Sequence, residues 1–519
     1  MKKLLLYFHT LRRLRWVQLE YQVRYKWNLR FRGQQRPALN ESPPPSIRPT
    51  LAYKRHRLTG EQAFTFLSLT KSMDLQTVDW NYSGHGKLWT YNLNYFDFIH
   101  KMPVDEALQW MKIYAKNTEL KDGLEPYPTS LRIMNWIHFC LEHSIREEDL
   151  ERMIYSDALW LRSNLEYHIL ANHLLENLLA CCLAAVYFDR ADWKEEIFPM
   201  MLDEWKEQFQ SDGAHYEQSP MYHMILTDRM LDLCLLLNAQ GEMEHLSSCQ
   251  KVLQPALNFA VFVHPYGHLP SFNDCAPEVA SSLEVIDDKA SLLGLSALPP
   301  KQAGSSGFRK WVYPNWTVLM DLGSVGPSYQ SGHAHADTFS FELFDKQLGP
   351  LIVHTGTSTY QPNERRQHER STAAHNTVSY AGADSSEVWG GFRTASRAEV
   401  EWITDEEDLL VAQHDGFKRI GAIHRRAFRR FEQGLEIRDQ ILGGTKQAQS
   451  YLHFHPDVVM ESLDGRLILN ERFEIQFENF ESSALESYLH AQKFNTLKQA
   501  QMWTGIFRSH ASIIIRERI

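Results

Sequence analysis

The sequence predicts an α+β multidomain protein in which a helical N-terminal part precedes a C-terminal antiparallel β-sandwich. Between residues 104 and 295, apolar residues recur every three or four positions, which indicates amphipathic helices. From about residue 307, short alternating runs are separated by Gly and Asp, as in sandwich strands. The 519 residues suffice for two or three domains. We expect a basic segment with a Pro-rich linker over 1–50, a helical domain over 51–300 and a β domain over 301–519.

The helical part is predicted to be a series of antiparallel helices with no strand between them. Turn residues such as Asp122, Gly123 and Gly241 separate the helices. A series of this kind closes into an α/α toroid or stacks into an α-solenoid, and the absence of a fixed sequence repeat weakens the solenoid interpretation. Apolar spacing indicates helices over 151–168, 170–188, 198–210, 219–239, 243–263 and 279–294.

Residues 1–36 form a strongly basic segment with ten Lys or Arg and a single acid, Glu20. Apolar residues, among them Leu4, Phe8 and Leu11, are interleaved with the charges. This composition fits a basic amphipathic helix that lies on an anionic membrane surface. It also fits a helix that docks on its own domain through its Leu and Trp side chains, which is the more ordinary interpretation.

Bulk properties exclude several classes of protein. The net charge of −10 predicts no nucleic-acid partner, so any attraction for an acidic ligand must come from local clusters. No apolar run reaches the roughly 18 residues that a transmembrane helix needs. The N-terminus lacks a convincing signal-peptide pattern, and the six Cys form no C-x-x-C pair. We therefore expect a cytoplasmic protein with buried thiols.

Two polar patches fall on predicted helices. Asn172, His173 and Glu176 share one helix face because they are three or four positions apart, and a carboxylate beside a histidine raises its pKa. The second patch spans residues 212–223 and contains Tyr222, whose hydroxyl can give or take a proton. Each patch also fits a structural role, as a buried polar cluster between helices or as an exposed N-cap.

Two further patches fall in the predicted β domain. In an extended chain His333, His335 and Asp337 project to the same side, and such a His-x-His pair commonly serves one metal or one active site. The alternative is a pair of surface histidines. Arginines of the fourth patch could bind carboxylate or sulfate through paired donors, or lie in a solvated loop. That patch contains His354, Tyr360, Arg365, Arg366, Arg370 and His375.

These patches, in this order, resemble the heparinase II/III-like polysaccharide lyases. The resemblance covers most of the chain beyond about residue 85, including the stretch EPYPTSLRIMNWIHF. It rests on Asn-His-x-x-Glu, Ser-Pro-x-Tyr-His, Gly-His-x-His-x-Asp and Arg-Ser-Thr-x-x-His-Asn, all in register. The resemblance implies an N-terminal α/α toroid, C-terminal antiparallel β-sheets and a cleft between them that binds an acidic polysaccharide.

The resemblance also implies roles for individual residues. Asn172 or His173 would neutralise a uronate carboxylate, and Tyr222 and His333 would move protons. Substrate contacts are implied for Arg132, Glu176, Tyr360 and Arg370.

A structural divalent metal, zinc or manganese, is implied at His335, His354 and His375. Relatives usually carry Asp where this chain has His354. Three imidazoles suit zinc better than manganese.

The expected reaction is β-elimination on a uronic-acid-containing, glycosaminoglycan-like glycan, which leaves a 4,5-unsaturated uronate end. A uronate C5-epimerase would share the first half of this chemistry, the removal of the C5 proton. A glycoside hydrolase would need two carboxylates across the bond, for which Glu217 and Asp274 are candidates. The remaining alternative is a non-catalytic glycan-binding or biosynthesis protein.

Overall fold

A helical N-terminal region is followed by antiparallel β-sheets in the computed structural model, as the sequence predicts. The structure describes residues 2–31, 35–37, 39, 42–53, 64–117, 119–300 and 304–518. The last helix of the first region ends at Leu292, and the next strand begins at Phe308. Part of the junction predicted near residue 300, residues 301–303, lies outside the described residues.

The described residues before the junction contain eleven α-helices. They are α1 Lys2–Leu11, α2 Trp16–Phe31, α3 Lys87–Tyr95, α4 Val104–Ala115, α5 Pro126–Glu142, α6 Glu148–Arg162, α7 Ala171–Tyr187, α8 Ala191–Gln208, α9 Pro220–Gln240, α10 Met243–Val263 and α11 Leu283–Leu292.

The helices from α3 to α11 form two layers. The odd-numbered helices pack against one another in sequence, and the even-numbered helices lie outside them. This arrangement is the α/α toroid. Helix α7 is buried on every side: all of its residues except His173 are buried, including the polar residues of its first two turns. It therefore forms the centre of the helical core, in contact with α5, α6, α8 and α9.

The strands of the described residues are mostly short. They are β1 Thr65–Phe66, β2 Leu69–Thr70, β3 Phe308–Val312, β4 Trp316–Asp321, β5 Phe341–Asp345, β6 Gly349–Ile352, β7 Val378–Tyr380, β8 Val388–Trp389, β9 Arg393–Thr394, β10 Val400–Asp405, β11 Leu409–His414, β12 Ile423–Phe431, β13 Gly434–Leu442, β14 Ala448–His453, β15 Met460–Leu463, β16 Arg466–Leu469, β17 Phe473–Glu478, β18 Ser482–Lys493, β19 Thr496–Phe507 and β20 His510–Glu517. A short helix, α12 Glu364–Glu369, lies among them.

Antiparallel sheets build the C-terminal sandwich. An eight-stranded sheet has the order β10-β11-β12-β13-β20-β17-β16-β15, and two four-stranded sheets have the orders β3-β4-β5-β6 and β18-β19-β14-β7. Residues such as Trp311, Phe341, Phe428 and Ile513 come from different sheets and form one buried apolar cluster. Alternation along the strands directs these side chains inward, which is the reason that the sequence pattern indicated a sandwich.

The N-terminal helices dock on both domains. Tyr7 of α1 packs edge-on against Trp389, with ring centroids 4.8 Å apart. On α2, Tyr25 stacks on His168 at 4.4 Å. The segment therefore docks on its own protein, as predicted, but through tyrosines, because Leu and Trp side chains that were expected to make the contact, such as Leu4 and Trp16, are exposed. No helix among the described residues is long and apolar enough to cross a membrane.

Candidate active site

A cleft of about 1360 Å³ lies between the toroid and the β-sandwich. The first turns of α3, α5, α7 and α9 open on one side of it, and loops of the β domain close the other. Helix N-termini carry partial positive charge, so four of them on one wall favour an anionic ligand. The predicted site residues that line the cleft are Asn172, His173, Tyr222, His333 and Tyr360.

His333 is oriented by a buried carboxylate. Its Nδ1 lies 2.8 Å from Asp274 Oδ2, and its Nε2 lies 3.8 Å from Glu217 Oε2. Because an ionised carboxylate only accepts hydrogen bonds, the Nδ1 proton is directed to Asp274 and the Nε2 lone pair remains for the cleft. The backbone N–H of Asp274 also donates to the carbonyl of His333 at 3.1 Å. The two residues therefore form a fixed pair.

Asp274 is held ionised by its neighbours. Burial opposes ionisation, but Arg366 and the two histidines 333 and 335 together keep the pKa of Asp274 well below its usual range. Both terminal nitrogens of the Arg366 guanidinium bond to the carboxylate, Nη2 at 2.6 Å. Asp274 is therefore a permanent anion that positions imidazoles and cannot act as an acid.

Tyr222 lies beside His333 because of a helix cap. Ser219 caps α9, with its Oγ accepting from the N–H of Tyr222 at 3.3 Å, and Pro220 follows at the first helical position. The ring centroids of Tyr222 and His333 are 4.1 Å apart, and the Tyr222 hydroxyl lies 3.2 Å from that of Tyr360. Burial, reinforced by Tyr360 and Asp274, raises the pKa of Tyr222 well above its usual value. The phenol is therefore neutral and can donate a proton.

Asn172 is fixed by Glu217. Its backbone N–H and its Nδ2 donate to Glu217 Oε1 at 3.1 and 3.0 Å, and Nδ2 also reaches Oε2 at 3.2 Å. Both side chains are buried, at 2% exposure each. The Asn172 side-chain nitrogen is thus shared by the two oxygens of Glu217, and the contact holds both residues in place within the cleft wall.

The His173 imidazole lines the cleft and can become positively charged. Its Nδ1 lies 3.2 Å from Glu166 Oε2, and its side chain is 24% exposed. Burial alone would lower the pKa of His173, but the Glu166 carboxylate raises it above the ordinary value. His173 can therefore present positive charge to a ligand near neutral pH.

The backbone is left-handed beside three of these residues. Leu170 has φ 65° and ψ −150°, a region that is almost confined to glycine. Further left-handed residues are Ala171 before Asn172, Gln218 after Glu217 and Asn273 before Asp274, with φ of 55°, 56° and 55°. Asn172, Glu217 and Asp274 therefore each follow or precede a left-handed residue.

Comparison with known proteins identifies the family. Residues 74–292 match the heparinase II/III N-terminus, and residues 296–516 match the heparinase II/III-like C-terminal domain. The chain belongs to the heparinase II/III-like family.

Solved structures of family members and related lyases share its fold. A crystal structure of heparinase III has a TM-score of 0.69 at 15% identity, over 85% of this chain and 79% of that one. A mutant heparan sulfate lyase HepC from Pedobacter heparinus has a TM-score of 0.57 at 15% identity, over 85% and 79%. Chondroitin AC lyase from Streptomyces coelicolor A3, bound to chondroitin sulphate, has 0.50 at 11%, over 83% and 74%. No curated protein sequence matches this chain significantly.

The arginines that the family resemblance assigned to substrate are internal. Arg132 is fully buried, where it donates to Asp157 Oδ2 at 2.8 Å and to the Gly123 carbonyl at 2.8 Å. Arg370 is equally buried and donates to the Ala334 carbonyl from both Nε and Nη2. The prediction that these two arginines contact substrate is therefore wrong. They brace α5 and the loop that carries the paired histidines.

Glu176 also lies away from the cleft wall. It is fully buried, and Arg229 Nε lies 3.8 Å from its Oε2. The prediction that it contacts substrate is corrected: Arg229 lines the cleft, and Glu176 lies behind it. Glu176 does not orient His173, because that role belongs to Glu166.

The three histidines predicted to bind metal lie together in the β domain. His335 Nδ1 lies 3.1 Å from His375 Nε2, and the rings of His354 and His375 are 4.8 Å apart. Their outer nitrogens bond to Asp274, to the Ser271 carbonyl and to the Ser371 carbonyl. As the side chains stand within the described ranges, no group of three or more His, Cys, Asp or Glu is placed so that it could hold a metal ion.

Two residues of this heparinase II/III-like site had not been singled out. Glu166 pairs with His173, and the Tyr127 ring lies 4.5 Å from that imidazole. Tyr127 falls in the EPYPTSLR stretch, so its place at the start of a predicted helix was an available signal. Glu166 precedes α7 by five residues and falls in the last turn of the helix predicted over 151–168, whereas α6 ends at Arg162, so no local pattern marks it as a site residue.

Proposed function

We propose that this protein is a polysaccharide lyase that cleaves a uronic-acid-containing glycan by β-elimination. The observation that carries the proposal is the contact between a neutral phenol, Tyr222, and a carboxylate-oriented imidazole, His333, in a cleft that also holds His173. β-Elimination needs a base for the C5 proton, an acid for the O4 leaving group and positive charge near the carboxylate. These three groups could supply each of them.

In this proposal His333 is the base and Tyr222 the acid. The Nε2 lone pair of His333 takes the C5 proton, and the C5 electrons form the C4–C5 double bond as the C4–O4 bond breaks. Tyr222 gives its proton to the departing O4, which leaves as an alcohol. Because burial raises the pKa of Tyr222, the phenol is protonated before the reaction and has a proton to give to O4.

Charge at the uronate carboxylate is balanced by His173. Removal of the C5 proton places enolate-like charge on that carboxylate, and a nearby imidazolium lowers the energy of this state. The N-terminus of α7, from which His173 projects, adds partial positive charge. Asn172 is the other candidate for this role, but its neutral side-chain amide carries no positive charge and already donates to the Glu217 carboxylate. We therefore assign charge balance to His173.

The adjacency of base and acid favours one stereochemistry. Rings 4.1 Å apart approach the sugar from the same side, so the C5 proton and O4 must lie on one face of the ring. Glucuronate meets this condition, whereas iduronate places the two groups on opposite faces. We infer a glucuronate-type substrate.

Ultraviolet absorbance of the conjugated product tests the proposal on a panel of glucuronate polysaccharides. We expect Tyr222→Phe to lose activity by roughly 10²–10⁴-fold, the usual contribution of a positioned acid. Tyr360→Phe, the matched control, removes the hydrogen-bond partner and should retain most activity. Deuterium uptake at C5 without an absorbance change would identify an epimerase instead, and no reaction of either kind would overturn the proposal.

We also propose that His335, His354 and His375 hold one structural divalent metal, zinc or manganese. Each ring has one nitrogen bonded to a carbonyl or carboxylate, which turns the other nitrogen inward. His354 Nε2 is buried and has no hydrogen-bond partner among the described residues. A bound metal would cross-link the loops of the β domain that position His333.

Metal analysis of protein purified without chelator tests this assignment. We expect about one metal ion per chain, lost in His375→Ala, and a lower thermal midpoint after chelation. If the purified protein contains no metal and its thermal midpoint does not change with chelator, the three rings only pack together.

A further inference from the structure

An apolar stripe of α1 faces away from the protein. Leu4, Phe8 and Leu11 are 75%, 60% and 51% exposed. They recur at three and four positions, so they share one helix face. The opposite face docks, with Tyr7 on Trp389 and Thr10 Oγ1 at the indole nitrogen of Trp389. The exposed stripe is thus a feature of a helix whose position is already fixed.

Helix α2 has an exposed apolar stripe of its own. Trp16, Leu19 and Val23 are 78%, 36% and 67% exposed, at helical spacing on one side. The other side is buried against the toroid, where Gln18 Nε2 donates to the Ile169 carbonyl and Tyr21 packs on Tyr167. Internal packing therefore explains one side of α2 and leaves the exposed Trp16, Leu19 and Val23 without a partner surface in the described part of the chain.

Positive charge accompanies this stripe. Ten basic residues and one acid give residues 1–36 a net charge of +9, which leaves −19 for the remainder because the whole chain carries −10. Lys3, Arg12 and Lys26 are exposed and pair with no carboxylate in the described part of the chain. The combination of exposed Trp, Leu and Phe with interleaved Lys and Arg matches the boundary between acyl chains and anionic headgroups.

We propose that α1 and α2 dock this protein on an anionic lipid bilayer. The apolar stripe enters the headgroup boundary, and the basic side chains meet lipid phosphates. The acidic remainder of the molecule is repelled by the same surface, so the two helices alone make the contact. Tyr25 and His168, which stack on each other, both line the cleft. Docking therefore brings one end of the cleft close to the bilayer, whatever reaction occurs there.

Vesicle co-sedimentation of the full chain tests the proposal. We expect binding to phosphatidylcholine vesicles that contain phosphatidylglycerol, and little binding to phosphatidylcholine alone. The triple variant Leu4→Glu/Phe8→Glu/Trp16→Glu should weaken binding by about tenfold or more, since it removes buried apolar area and adds repulsion. The matched control Leu298→Glu/Val459→Glu changes side chains that are 74% and 67% exposed elsewhere and should bind as before.

Three results would overturn the proposal. They are absence of binding to the anionic vesicles, equal binding by the triple variant, and a concentration-dependent dimer that the triple variant abolishes. The last would mean that a second copy covers the stripe. Thermal midpoints of both variants should equal that of the parent chain, because every changed side chain is exposed. Charge reversal at Lys3, Arg12 and Lys26 should remove the preference for anionic lipid.

Discussion

The protonation of His173 depends on Glu166, a carboxylate 3.2 Å away. Because the folded pKa of His173 lies above its ordinary value of 6.5, the imidazolium and the stabilisation of its ion pair are complete below that pH. Both are lost as the pH rises through the raised pKa. Glu166→Gln should therefore shift the alkaline limb of the pH profile of kcat/KM towards lower pH.

A matched variant separates this effect from a general change of charge in the cleft. Glu278→Gln also removes a cleft carboxylate, but its partner is Lys493 rather than a histidine. It should leave the alkaline limb in place. An unchanged limb in Glu166→Gln would remove His173 from the reaction.

Individual residues divide into those that the sequence could assign and those that it could not. Tyr222 and His333 lie in the cleft, and uncommon polar motifs in the sequence already marked them as candidate site residues. Arg132 was misassigned because its partner, Asp157, is 25 residues away on another helix. A sequence shows a charge, but it does not show whether that charge meets solvent or a buried carboxylate.

The first turn of α9 links the backbone of Tyr222 to that of Asp274 through one side chain, Ser219. Ser219 Oγ accepts from the Tyr222 N–H and donates to the Asp274 carbonyl at 2.6 Å. Ser219→Ala should cost about 1 kcal/mol of stability, as cap losses do, and should also lower kcat because Tyr222 and Asp274 lose their link.

Helix α11 offers the control for this prediction. Ser282 caps it in the same way, by accepting from the Val285 N–H at 3.4 Å, and Ser282 does not itself line the cleft. Ser282→Ala should reduce the free energy of unfolding similarly and leave kcat unchanged. Equal kcat in both variants would contradict the linking role of Ser219.

The ends of elements show what periodicity can predict. Helix α10 spans residues 243–263, as the apolar spacing indicated. Helix α8 begins at Ala191, seven residues before the predicted start, and contains Pro199. A proline is normally found in the first turn of a helix, and the polar residues that precede Pro199 show no apolar spacing. Packing of α8 against α7, rather than the local sequence, therefore sets where α8 begins.

At the scale of the whole molecule, the cleft between the toroid and the β-sandwich is not strongly basic. Two lysines that line it already face carboxylates, Lys87 at 2.8 Å from Glu125 and Lys493 at 3.3 Å from Glu278. We expect an unsulfated glucuronate polymer to be cleaved with a higher kcat/KM than heparin, with a weak dependence on salt. Kinetics of both polymers over a series of salt concentrations check this. Faster cleavage of heparin with a steep salt dependence would contradict it.

The sequence predicts the helical part and the β part in the right order, because apolar residues recur every three or four positions in helices and at every second position in strands. The cleft was not predictable from those periods, since it depends on how Asp274, in a loop after α10, meets His333 from the β domain. Only the family resemblance implied that the two halves face each other. Contacts between residues 59 positions apart leave no periodic trace in the sequence.

The left-handed residues beside Asn172, Glu217 and Asp274 place this site under a stability–activity trade-off. Strain of this kind costs on the order of 1–3 kcal/mol at each position, and the packed core around α7 must offset it. Glycine in place of Ala171 or Gln218 would relieve this strain, but it would also loosen the segments that aim the reacting groups, so the stability and the activity of the protein oppose each other at these positions.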